Sequence, residues 1–221
     1  MLLPLRCAAL VAGSLIPIAV AAPPATAHRA PAAPPPLLRQ AVADLPVTAE
    51  GRTGYKRTSF RHWVDGDGDG CSARNEVLIA EAIDKPAQGA QCKLSGGIWY
   101  SYYDDTIVDN ASKLDVDHMV PLAEAWDSGA SAWDAKKRQD YANYLDHPEH
   151  LVAVTARSNR QKADKDPADW LPIAAVRCRY IGEWIAIKRH WGLAIDEREK
   201  TALTEQAAAC PNAPLALPPA R

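Results

Sequence analysis

Asp115-Val116-Asp117-His118-Met119-Val120-Pro121-Leu122, read together with His150-Leu151-Val152-Ala153-Val154-Thr155-Ala156-Arg157-Ser158-Asn159-Arg160-Gln161-Lys162, is the pair of segments on which the fold of this chain turns. Leu114, Val116, His118 and Val120 alternate with Asp115, Asp117 and Met119, the period of a short strand. Pro121 stops it, because proline has no N–H to give to a ladder. In the second segment the apolar run Leu151 to Val154 reads as another strand, and residues 156–162 carry a helix with Thr155 as N-cap. The order is strand, long excursion, strand, helix.

Set side by side, these elements make Asp117, His118 and Asn159 neighbours. A carboxylate and an amide oxygen are hard ligands suited to Mg²⁺ or a similar cation, and the adjacent imidazole can take a proton from water. The combination is hydrolytic. Asn159 and Lys162 stand three apart on the expected helix and share a face, which can be aimed at a phosphate.

The pattern D-H-x-x-P followed by H-L-x-x-V-x-x-x-x-N-R-x-K resembles the HNH endonucleases with a ββα-metal motif, and within them a secreted bacterial family. The resemblance runs from about Trp63 through the Asp65–Glu76 segment and Asp117-His118, then through Asp164-Lys165-Asp166-Pro167-Ala168-Asp169-Trp170-Leu171-Pro172, to Cys210. It implies that His118 is the general base and that Asp117 and Asn159 hold one divalent metal, Mg²⁺ or Mn²⁺. It further implies that His150 braces the loop and that Lys162 lies near the phosphate. Arg74, in the Arg-x-Glu of the same resemblance, has two readings: a fork onto a phosphate or an active-site carboxylate, or a salt bridge that holds its helix. Tyr144 departs from the family pattern, which has an acid there. The implied fold is α+β, a mostly helical domain around the ββα-metal motif, stabilised by disulfides. The implied activity is hydrolysis of phosphodiester bonds in DNA, or in RNA, with weak sequence preference and 5′-phosphate products. A histidine base must be neutral, so activity is expected to fall below a nominal pKa of about 6.5.

The N-terminus reads as an export signal over residues 1–27: Arg6, then an apolar run from Cys7 to Ala22, then A-x-A sites at Ala19-Val20-Ala21 and Ala25-Thr26-Ala27. A transmembrane anchor is disfavoured, since the run is short, contains Pro17 and has no positive stop signal after it. The expected product is a secreted monomer with no membrane contact once the signal is cleaved. Removing Cys7 leaves four of the five cysteines, Cys71, Cys92, Cys178 and Cys210. In an exported domain these read as two disulfides, and of the three pairings we favour Cys71 with Cys92 and Cys178 with Cys210, each closing a local loop. A zinc site is disfavoured because no C-x-x-C pair exists. Residues 28–50 read as a Pro/Ala-rich tether and N-terminal segment with a short helix within Leu37 to Val47, residues 51–210 as the nuclease domain, and residues 211–221 as a disordered tail. The formal net charge is −2, which argues against a nucleic-acid enzyme. Its distribution answers the objection: Asp65, Asp67, Asp69 and Asp117 are candidate metal ligands, whereas Arg157, Arg160, Lys162 and Lys165 crowd one helix.

Asp65-Gly66-Asp67-Gly68-Asp69-Gly70 with Glu76 five residues on fits the calcium-loop pattern D-x-D-x-D-G-x5-E and suggests a structural Ca²⁺ held by Asp65, Asp67, Asp69 and Glu76. Glu76 has the active site as its other destination. Gly96 to Tyr103 reads as an aromatic strand turning at Asp104-Asp105. The excursion from Leu122 to Asp146 is expected to be helical, broken at Ser128-Gly129 and restarted with Ser131 as cap. Two C-terminal helices follow Pro172, the second capped by Asp196. Two other functions fit parts of the sequence: an extracellular calcium-binding or adhesion module, and a secreted nuclease toxin that needs an immunity protein.

Overall fold

The strand pair expected from the sequence forms as an antiparallel ladder, β5 (Leu114–His118) against β6 (Leu151–Thr155), in the computed structural model, which describes residues 34–215. Before it come α1 (Leu38–Ala43), α2 (Ala73–Glu81), a short hairpin of β1 (Ala87–Gln88) and β2 (Leu94–Ser95), and a second of β3 (Trp99–Ser101) and β4 (Thr106–Val108). Between the two central strands lie α3 (Leu122–Asp127) and α4 (Ala135–Ala142), and after them α5 (Ala156–Lys162), α6 (Arg177–Trp191) and α7 (Glu197–Ala209). The architecture is α+β, with small two-stranded sheets among helices and two disulfides. The export signal and residues 28–33 of the tether lie outside the described residues.

The β5–β6 ladder is buried on both faces, and its alternation divides the interior. Leu114, Val116, Leu151 and Ala153 point to a cluster with Val77, Leu78, Trp99 and Val108, while Val152 and Val154 point to a larger one built on α1, α6 and α7. Because the side-chain period of a strand is two, Asp115 and Asp117 share the second face, with Asp117 opposite Val152 in the ladder. Thr155 then caps α5, its Oγ1 accepting the Ser158 N–H at 3.2 Å, so strand passes directly into helix.

A buried polar cluster fastens the helices to one another. Lys188 of α6 is fully enclosed and donates to Glu124 of α3 at 2.6 Å, to Glu199 of α7 at 2.9 Å, to Ser128 Oγ at 2.6 Å and to the Ala194 carbonyl at 2.9 Å. An ammonium out of water is tolerable only with this much compensation. Gly192, at φ +67°, ends α6 in the left-handed turn that a side chain would resist, and Asp196 caps α7 through the Glu199 N–H at 2.6 Å.

Both favoured disulfides form, Cys71–Cys92 and Cys178–Cys210. Three expectations need correction. The second helix of the excursion starts later and is capped by Asp134, whose Oδ1 accepts the Lys137 N–H at 2.7 Å; Ser131 is not its cap. The chain is already packed before residue 51, since α1 buries Leu38, Ala41 and Val42 in the larger core. Residues 211–215, expected in a disordered tail, are ordered, since Leu38 N donates to Ala213 O, Leu215 N donates to Pro36 O, and Leu215 is buried; residues 216–221 lie outside the described residues. The last two share a physical reason, because the segments near each end pair with one another and so satisfy their backbone groups.

Candidate active site

At the end of the ladder, where β5 gives way to α3 and faces α5, a cleft of ≈ 300 Å³ is lined by Arg57, Asp117, His118, Asn159, Arg160 and Asp164 together with apolar neighbours. Asp117 and His118 leave opposite faces of β5, yet both reach the cleft because it lies at the strand end. The sequence-predicted trio of Asp117, His118 and Asn159 is thus in one place.

His118 is held by its ring nitrogen. Nε2 lies 2.9 Å from the carbonyl oxygen of Ala142, at the end of α4, and a carbonyl only accepts, so Nε2 carries the proton and Nδ1 keeps the lone pair. Trp63 packs against this ring at 5.2 Å, from a backbone at φ +59° that a bulky residue adopts only under constraint. Burial depresses the His118 pKa well below 6.5, helped by the nearby His150, Arg57 and His62 and opposed by the Ala142 bond. The imidazole is neutral at neutral pH, and the nominal value of 6.5 for its titration is corrected downward.

Asp117 is fixed through one oxygen. Its Oδ2 accepts the Tyr103 hydroxyl at 2.7 Å and lies 2.8 Å from Lys162 Nζ, which leaves Oδ1 for another partner. Asn159 is fixed in the complementary way: Nδ2 donates to Asp115 Oδ2 at 3.1 Å, which leaves the amide oxygen. One carboxylate oxygen and one amide oxygen in a cleft form a donor set that fits a hard divalent cation retaining water, such as Mg²⁺ or Mn²⁺. Burial raises the Asp117 carboxyl and lowers the Lys162 ammonium, and their mutual attraction opposes both shifts.

The other expected site residues are elsewhere. Lys162 is enclosed, its ammonium shared between Asp117 Oδ2 and the His118 carbonyl at 3.0 Å, so it does not meet a phosphate. A face shared with Asn159 does not ensure exposure, because α5 packs that end of the face onto the core. His150 does not line the cleft: it is buried, and its Nε2 donates to the Tyr141 carbonyl at 2.6 Å. That bond ties it to the end of α4, next to the Ala142 carbonyl that meets His118. Tyr144, in place of the family acid, stacks among His147, His150, His190 and Trp191. Arg74 Nη2 donates to the Leu114 carbonyl at 3.0 Å and ties α2 to β5, and among the described residues no ion pair of Arg74 is found.

The acidic loop does not line this cleft. Asp65, Asp67 and Asp69 are exposed and offer oxygens within 4.8 Å of one another, while Glu76 lines a different pocket, shared with Asp67 and Asp140. Burial and then the three aspartates raise the Glu76 carboxyl. Sequence reading missed Tyr103, Trp63 and Arg57, which converge on the site from distant segments. Only the Arg-Thr-Ser-Phe turn and the Trp63-Val64 step could have signalled them, and neither has a distinctive pattern.

The model of the family described as GmrSD restriction endonucleases, C-terminal domain, matches residues 74–206. A fungal protein of Arthroderma benhamiae, described as an uncharacterized secreted protein, is 36% identical over 196 residues, covering 87% of this chain and 95% of that one. This relative is not bacterial, so the comparison does not restrict the grouping to bacteria as the resemblance had. No solved structure matches the chain. Among the described residues no helix is long and apolar enough to cross a membrane. With the family model spanning α2 to α7 and the relative covering nearly the whole chain, the protein belongs to the family of GmrSD restriction endonuclease C-terminal domains, a nuclease family.

Proposed function

We propose that the protein is a secreted, metal-dependent HNH endonuclease that hydrolyses phosphodiester bonds of DNA, or of RNA, with weak sequence preference. The observation that carries this reading is the fixed tautomer of His118, whose Nε2 is held by the Ala142 carbonyl while the residue lines a cleft with Asp117 and Asn159. On this reading β5, β6 and α5 are the ββα-metal motif. Residues 1–27 serve as its export signal, and the mature chain works as a monomer.

His118 Nδ1 takes a proton from water, and the hydroxide attacks phosphorus in line. The Nε2–H bond to Ala142 spreads the charge that the ring gains and keeps the ring from turning. Asp117 and Asn159 are the residues that would hold a divalent cation, each offering the oxygen its protein partners leave vacant. When bound there, such a cation polarises the phosphoryl oxygen and stabilises the departing 3′ oxygen, which leaves 5′ phosphates. Lys162 and Tyr103 keep Asp117 aimed, and His150 keeps α4 in register.

The decisive experiment is nicking of supercoiled plasmid by the oxidised mature protein with Mg²⁺, Mn²⁺ or EDTA, alongside His118→Ala. Metal-dependent nicking that the variant loses supports the reading. A folded wild type that cleaves neither DNA nor RNA with either metal would overturn it. We also propose that Asp65, Asp67 and Asp69, with Glu76, hold a structural Ca²⁺. The support is the clustering of three exposed carboxylates within 4.8 Å in a loop of calcium-binding spacing.

A further inference from the structure

With Lys162 enclosed, phosphate recognition falls to another cation. In-line attack by hydroxide concentrates negative charge on the phosphoryl oxygens, and a site that speeds it aims fixed donors there. Two guanidinium groups line the cleft, those of Arg57 and Arg160. Arg160 is partly neutralised, its Nε 3.7 Å from Asp115 Oδ2 on a strongly exposed side chain. Among the described residues no ion pair of Arg57 is found, and the Tyr55 side chain lies near its guanidinium.

The backbone beneath Arg57 is rigid in the way a positioned donor requires. Arg57–Ser59 is one tight turn, closed by Ser59 N to Lys56 O at 2.8 Å and Phe60 N to Arg57 O at 3.1 Å. Arg138 Nε of α4 donates to the Ser59 carbonyl at 3.2 Å. Phe60, next in sequence, is fully buried and packs edge-on against Tyr141 at 6.0 Å. Tyr141 adjoins Ala142, whose carbonyl holds His118, so the turn carrying Arg57 and the anchor of the imidazole rest on the same packed element. An exposed guanidinium on a buried footing, opening into the cleft of His118, is placed to meet substrate rather than to hold the fold.

We infer that Arg57 is the substrate-binding residue that receives the scissile phosphodiester, its planar fork engaging two phosphoryl oxygens while His118 activates water. This rests on the nuclease reading above. Arg57 lies outside the residues 74–206 that the family model matches, so nothing in that match assigns it a role. A guanidinium suits the task better than an ammonium, since its donors match the paired oxygens of a phosphate.

The test compares wild type, Arg57→Ala and Arg57→Lys for plasmid nicking in Mg²⁺. Duplex affinity across a salt series is measured on the inactive His118→Ala background with a short fluorescent DNA, with and without Arg57→Ala. Arg57→Ala is expected to fold normally, because the side chain is exposed, and to lower kcat/KM by about 100-fold. On the inactive background it should flatten the slope of log K against log salt by about one. Arg57→Lys should restore the salt slope and only part of the rate. Wild-type nicking that persists undiminished in Arg57→Ala, with the salt slope unchanged, overturns this inference and leaves the nuclease reading standing. A wild type that cleaves nothing removes the nuclease reading and this inference with it.

Discussion

Replacing Lys162 with methionine separates two roles that the sequence alone leaves indistinguishable. The methionine fills nearly the same space but removes the ammonium, which lies 2.8 Å from Asp117 Oδ2 and is fully enclosed. At an effective dielectric of about 20, two unit charges at that separation attract by about 6 kcal/mol, set against the desolvation of both. Removing only the lysine keeps the desolvation of Asp117 and leaves Tyr103 as its donor, a change that costs about 3–5 kcal/mol. In a chain of this size that lowers the melting midpoint by roughly 10 °C. Asp117→Asn together with Lys162→Met removes both charges and is expected to regain most of the loss, the non-additivity of a shared ion pair. The assay is thermal unfolding followed by circular dichroism in EDTA, with urea titration as a check. A lysine contacting phosphate would behave differently: Lys162→Met would melt within about 2 °C of wild type while the salt slope of DNA binding fell by about one. That outcome would refute the buried-pair argument.

Removing the Cys178–Cys210 bridge by a double serine substitution frees a loop of 32 residues and is expected to destabilise by roughly 4 kcal/mol, read from urea unfolding; an unchanged midpoint would deny it that role. Glu81 of α2, whose Oε2 accepts the Ala153 N–H at 2.8 Å, has its carboxyl raised by burial to about 7. The folded chain therefore holds a proton that the unfolded chain releases near 4.5, so this stabilisation is complete below 4.5, declines as pH rises and is lost above 7. Its extent is at most about 3 kcal/mol, and Glu81→Gln should remove that decline from a plot of stability against pH; parallel plots for the two proteins would refute it. Calcium added to the mature protein should give a calorimetric isotherm with Kd of about 10⁻⁴–10⁻³ M that Asp65→Asn with Asp67→Asn abolishes, whereas equal heats from both would dismiss the loop as a site.

Local pattern carried the elements that local chemistry controls. Alternation marked β5, Thr155 and Asp196 were legible as caps, cysteine spacing paired the disulfides, and adjacency with a later asparagine brought Asp117, His118 and Asn159 to one cleft. These succeed because a strand period, a cap and a short loop depend on residues close in sequence. The environment of each side chain was another matter. Lys162 and Asn159 share a helical face, but only the packing of α5 under Trp184 and β5 decides that one is enclosed and the other meets the cleft. Likewise Arg74 is spent on a strand carbonyl, His150 on the end of α4, and Arg57 arrives from a turn some sixty residues before His118. The sequence by itself determined which residues lie side by side along each element. Tertiary structure alone decided which faces are covered and by what, because burial, and with it the ionisation and reach of every charged group, is set by partners distant in the chain.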